Sequence, residues 1–126
     1  MENYQKDERR HRGELFETRV LEHCTEYLLP LFDRHGDQLA LYVEKTDDAL
    51  LITDDGYWQT ELQLAGMEPS DKLMNAVRNI CSPVRIIVDG NELKMRSTAP
   101  TLQNDLYLFG QILLQITDHD WLLEQL

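Results

Sequence analysis

Positive charge is scarce in this chain. Twelve lysines and arginines stand against 23 aspartates and glutamates over 126 residues, a net of −11 at pH 7. A surface of that sign repels a nucleic-acid backbone and attracts basic partners. The imbalance is uneven. Residues 1–13 hold four basic and three acidic side chains, so residues 14–126 hold 8 and 20. Direct binding of DNA or RNA is therefore not expected. Long apolar runs are missing too. Leu106–Phe109 and Ala49–Ile52 are among the longest, far short of the ~20 residues that cross a bilayer. Met1–Gly13 is polar and has no apolar signal core. A cytoplasmic location with no membrane contact is expected. There are two cysteines, Cys24 and Cys81. Each falls on the apolar face of an expected helix, as a small buried hydrophobe in a reducing compartment rather than half of a disulfide. No glycine-rich phosphate loop, nucleophile elbow or dinucleotide fingerprint occurs, and no cofactor is expected.

What is present suits one compact core: 42% apolar and 28% charged residues. Residues 1–13 are expected to be a flexible segment and 14–126 a single globular domain. Leu15, Phe16, Val20, Cys24, Tyr27 and Leu28 recur at helical spacing, which predicts a helix from Glu14 to Leu29, stopped by Pro30. Leu39, Leu41 and Val43 alternate, as do Leu50 and Ile52, which predicts a hairpin turning at Lys45–Asp48. Trp58–Ala65 reads as a short helix ended by Gly66. Ser70 can cap a helix bearing Leu73, Val77, Ile80 and Cys81. A second hairpin follows, with Val84, Ile86 and Val88 in one strand, Asp89-Gly90-Asn91 as the turn and Leu93 and Met95 in the other. Leu102, Leu106, Phe109, Leu113 and Ile116 form the stripe of a long last helix, interrupted near Thr117–Asp120. The expected fold is α+β in two layers. Two β-hairpins make a four-stranded antiparallel sheet with helices on one face, in the order α-β-β-α-α-β-β-α.

The segment Leu51-Ile52-Thr53-Asp54-Asp55-Gly56-Tyr57, then Leu62 and Gly66, carries further information. Together with the Val84–Met95 hairpin and the closing helix, it resembles a bacterial and phage family known as a domain of unknown function, of the 1828 type. The likeness spans most of the chain. Members of that family look like genes of phages, plasmids and other mobile elements. The resemblance implies a host-interaction or anti-defence setting and brings no catalytic residues with it.

Several residue groups invite chemistry. Asp54 and Asp55 are adjacent carboxylates, but neighbours on a strand point to opposite faces. A turn at Asp55 can bring them together, and Glu44 on the adjacent strand is a further oxygen for a divalent metal. The simpler reading has both bonding the turn backbone. Asp89, Glu92 and Lys94 resemble the carboxylates and lysine of a large nuclease family, though here only a two-residue turn separates the acids. Asp118-His119-Asp120 has no H-x-x-x-H or C-x-x-C partner and suits helix capping better. Nothing in the spacing of Cys24, Cys81, His23 and His35 favours a nucleophilic dyad.

These features describe an acidic binding protein more than an enzyme. The expected function is inhibition of a host nucleic-acid-handling defence complex, of the anti-CRISPR type, by charge mimicry of nucleic acid. Glu44, Asp47, Asp48, Asp54 and Asp55 are the expected carboxylates at a basic groove of the partner, with Tyr57 and Trp58 as apolar anchors. One alternative is a divalent-metal-dependent nuclease or phosphoesterase. Another is a structural accessory protein that dimerises through its C-terminal helix. No catalytic and no metal-binding residue is assigned.

Overall fold

The computed structural model describes residues 16–126. The flexible segment expected over residues 1–13 lies outside them. In chain order the elements are β1 (Glu17–Val20), β2 (Thr25–Phe32), β3 (Gln38–Lys45), β4 (Leu50–Thr53), α1 (Tyr57–Leu64), α2 (Asp71–Cys81), a 3-10 turn at Ser82–Val84, β5 (Ile87–Asp89), β6 (Glu92–Ser97), α3 (Leu102–Ile116) and α4 (His119–Glu124). The strands form one antiparallel sheet in the order β1-β2-β3-β4-β6-β5. The α+β class is as expected. The sheet has six strands rather than four, and the element order differs accordingly.

The difference lies at the start. Where a helix over Glu14–Leu29 is predicted, residues 17–32 form the β1–β2 hairpin. The segment carries both periods: Tyr27, Leu29 and Leu31 alternate as well as any strand, and Thr18, Val20, Thr25 and Tyr27 favour a pleated surface. A short apolar run cannot choose between them. Pairing chooses, because β2 bonds to β1 on one side and β3 on the other, and Leu29 becomes wholly buried. Pro30, expected to stop a helix, instead falls where the β2–β3 register shifts between Leu28 and Phe32. Proline lacks an N–H and suits such an irregularity. Cys24 consequently sits half-buried beside the β1–β2 turn, not on a helix, whereas Cys81 is buried at the end of α2.

The inner strands follow the predicted pattern. Both expected hairpins form, and they join through β4 beside β6. β5 is shorter than predicted, because Val84 lies in the 3-10 turn and Arg85 takes a left-handed φ of 66°. Ser70 Oγ accepts from the Leu73 N–H at 3.2 Å and starts α2. Leu106, Phe109, Leu113 and Ile116 of α3 are fully buried against Leu29, Leu39, Leu41, Ile52 and Met95 of the sheet. Gly110 permits that approach: a Cβ there would lie 2.5 Å from a Leu29 methyl. The interruption expected after Ile116 occurs, and Asp118 Oδ2 accepts from the Trp121 N–H at 3.0 Å to cap α4. Alternate strand residues such as Tyr42 and Lys94 lie on the face of the sheet opposite Leu41, Ile52 and Met95.

Candidate functional site

At one end of the sheet, the β2–β3 turn, the end of β4 and the first turns of α1 surround a cleft of about 500 Å³. Five carboxylates line it: Asp33, Asp37, Asp54, Asp55 and Glu61. The local sequence explains the shape. β4 ends in Asp54, the chain then takes left-handed φ values of 53° at Asp55 and 82° at Gly56, and α1 begins at Tyr57. Glycine adopts such angles freely and aspartate more readily than most residues.

Asp54 is the internal pivot of this turn and is 2% exposed. Its Oδ1 accepts from the Leu93 N–H at 2.9 Å and the Gly56 N–H at 3.1 Å, and its Oδ2 accepts from the Trp58 N–H at 2.9 Å. One side chain thereby ties β4 to β6 and satisfies donors of the first turn of α1. Burial pushes its carboxyl above the ordinary range, against the pull of those three N–H groups, and Glu92 adds to the rise.

The opposite wall is docked by α1. Tyr57 and Glu61, one helical turn apart, face the β2–β3 turn. The Tyr57 hydroxyl donates to Asp33 Oδ2 at 2.8 Å. Glu61, only 4% exposed, accepts from Arg34 Nε at 3.2 Å, and His35 Nε2 lies 2.9 Å from the same oxygen. Arg34 Nη1 also lies 3.4 Å from His119 Nδ1 at the start of α4. Burial, the Asp33 bond and the nearby Glu61 raise the Tyr57 hydroxyl. Tyr42, which donates to Glu26 Oε2 at 3.1 Å, is pushed up to about 12, chiefly by burial and then by Glu26. Both phenols are therefore committed donors, not bases. Burial raises the Asp33 carboxyl, but the Tyr57 hydroxyl and the Asp37 and His35 N–H groups outweigh it and hold Asp33 below the ordinary range.

That shift makes a test. A carboxyl depressed in the folded state adds stability that is complete above its unfolded value and fades as the pH falls through its folded value. Tyr57→Phe is expected to lose about 1 kcal/mol at neutral pH. The difference from wild type should shrink below about pH 4. Urea unfolding of both proteins at neutral and acidic pH measures it; an equal gap at both would mean that the bond does not hold Asp33 ionised.

The residues singled out in the sequence fall into four places. Asp54, Asp55 and Tyr57 line the cleft. Glu44 is exposed on β3, close enough to join Asp55 and Glu26 in raising the half-buried Cys24 thiol beyond the effect of burial. Asp47 and Asp48 sit on the β3–β4 turn, at the far end of β4 from Asp54, and Asp48 pairs with Arg96 at 3.0 Å. Trp58 is 2% exposed in the core. As surface contacts, Asp54 and Trp58 are corrected: one bonds the backbone and the other packs inside, so neither offers a partner much area. The other groups are engaged as well. Lys94 Nζ meets Asp89 Oδ2 at 2.9 Å, and Glu92 Oε1 accepts from the Thr53 hydroxyl at 2.7 Å. Among the described residues, no group of three His, Cys, Asp or Glu is arranged to hold a metal ion.

Asp33, Asp37, Tyr42 and Glu61 were not singled out from the sequence as parts of a site, and His35 was considered only as a dyad partner of a cysteine. The signal for the turn was the Asp33–Asp37 pair around Gly36. The signal for Glu61 was a carboxylate between Trp58 and Leu62, on the inward side of a short amphipathic helix.

A model of the family described as domain of unknown function DUF1828 matches residues 29–116. That span runs from β2 to the end of α3 and includes every residue lining the cleft. No curated protein and no solved structure matches the chain.

Proposed function

We propose a binding function for this chain, which belongs to the DUF1828 family: its acidic cleft receives cationic side chains from a basic surface of another protein. The observation that carries the reading is the imbalance inside the cleft. The carboxylates of Asp37 and Asp55 have no hydrogen-bond or ion-pair partner among the described residues, while the neighbouring Arg34 and His35 side chains are already turned to Glu61. Two free carboxylates on opposing walls, with Glu44 outside, suit an arginine or lysine from a partner. Where that basic surface normally holds phosphates, occupancy by carboxylates excludes nucleic acid. Inhibition of a nucleic-acid-handling defence complex, of the anti-CRISPR type, is the form of this function that the charge pattern and the family likeness support. Electrostatic attraction sets the rate and the specificity of such an encounter.

A labelled oligo-arginine peptide is a direct probe. Its affinity is expected to fall at least about tenfold between about 50 and about 300 mM salt. Asp37→Asn combined with Asp55→Asn is expected to weaken it about tenfold again at an unchanged melting temperature, since asparagine tolerates the left-handed turn. In competition, wild type should displace duplex DNA from such a complex and the double variant should not. Salt-insensitive binding, or a double variant that binds like wild type, would sink the reading.

A further inference from the structure

Residues 16–126 hold eight lysines and arginines against 19 aspartates and glutamates, and most of the cations are engaged. Arg19, Arg34, Lys94 and Arg96 meet Glu26, Glu61, Asp89 and Asp48, and Lys72 donates to the Leu126 carbonyl oxygen. The side chains of Arg78 and Arg85, and that of Lys45 at the end of β3, have no hydrogen-bond or ion-pair partner among the described residues. The two arginines line one hollow of about 360 Å³ between the end of α2 and β5, together with Ser82, Ile87 and Val88. Arg85 also borders an adjoining hollow of about 160 Å³ with Lys94 and Arg96. Ile87 lies between the hollows and is 59% exposed. Among the described residues, β5 is an edge of the sheet, with no strand on its outer side. A basic side chain in the last turn of a helix is favoured by the helix dipole, which accounts for Arg78. It does not account for Arg85, whose left-handed φ is rare for an arginine.

We propose that this edge is a second binding site, opposite in sign to the cleft, and that its occupant is an acidic, partly apolar peptide segment of a partner protein. Guanidinium groups grip carboxylates through paired N–H donors. The exposed Ile87 offers an apolar seat between them. An unpaired strand edge accepts an extended peptide alongside it. A long polyanion fits the chain less well, because the acidic surface beyond the patch repels a phosphate backbone that must continue past it. A short peptide stays within reach of Arg78 and Arg85 and meets less of that field.

Fluorescence anisotropy with a labelled peptide alternating glutamate and valine tests the site. A lysine–valine peptide and an oligonucleotide of matched charge serve as comparisons. The glutamate–valine peptide is expected to bind at least about tenfold more tightly than the oligonucleotide and to shift the amide resonances of Ile87 and Val88, which the lysine–valine peptide, drawn to the acidic cleft, leaves unmoved. Arg78→Gln with Arg85→Asn should weaken it about tenfold at an unchanged melting temperature, asparagine being tolerant of the angle at residue 85. Ile87→Ser should also weaken it, which diffuse charge attraction alone would not produce. Asp37→Asn with Asp55→Asn should leave it unchanged, which separates this site from the cleft. The proposal is overturned if the arginine and isoleucine variants bind the peptide like wild type. It is equally overturned if the oligonucleotide binds more tightly at the same residues. A concentration-dependent rise in mass that the same variants abolish would assign the edge to a second copy of the chain instead.

Discussion

Asp54→Ala is expected to lower folding stability by about 3 kcal/mol, with a melting temperature lower by roughly 10 °C. The side chain accepts three backbone N–H groups. The bonds to the Trp58 and Leu93 N–H groups are buried, and alanine leaves no replacement acceptor. Each stranded donor costs about 1–3 kcal/mol. Removal of a carboxylate that burial disfavours offsets part of the total. Asp54→Asn keeps the shape and one acceptor, and should lose about half as much. The pH dependence has a definite sign. A carboxyl raised in the folded state stabilises most below its unfolded value, and that contribution is lost as the pH rises through its folded value. The advantage of wild type over Asp54→Asn should therefore be larger in acid than at neutrality. Chemical unfolding at two pH values measures it. A harmless Asp54→Ala that abolishes oligo-arginine binding would instead make Asp54 a contact residue.

Trp58→Ala is expected to remove about 3–5 kcal/mol, because the indole lies in the core and alanine leaves a large cavity. Trp58→Phe should behave differently. The indole Nε1 is buried and has no hydrogen-bond partner among the described residues. Phenylalanine loses ring volume but also discards that unpaired donor, worth about 1–3 kcal/mol. Its net effect should lie within about 1 kcal/mol of wild type. Thermal melts of the pair separate the two contributions. Oligo-arginine binding by Trp58→Phe should equal that of wild type. A well-folded Trp58→Phe that fails to bind would return Trp58 to the interface.

The parts of the fold that were legible share one property: local pattern and turn chemistry agreed with the final packing. The α3 stripe is a helical face and nothing else, Ser70 and Asp118 cap where they stand, and Asp89-Gly90 turns between two alternating runs. The β1–β2 region failed because its apolar residues satisfy two periods. β3 decided between them by pairing with Thr25–Leu28, a contact across the β2–β3 turn that no short window contains. The cleft was half legible for a related reason. Asp54, Asp55 and Tyr57 are adjacent in sequence, whereas Asp33, Arg34, His35 and Glu61 meet only once α1 docks on the β2–β3 turn.

By itself, the sequence determined the net acidity, the α+β class, the β3–β4 and β5–β6 hairpins, the caps and the strand–turn–helix at Asp54–Tyr57. These depend on residue type and on neighbours within a few positions. Tertiary structure alone decided the fate of individual carboxylates. Asp54 and Asp55 are the same residue type side by side, yet one is held inside by three N–H groups and the other is exposed at the cleft. Tertiary structure also gathered Arg78 and Arg85, whose side chains have no partner among the described residues, beside a strand edge. Burial and long-range pairing set the availability of a charge, and both arise only when distant segments pack together.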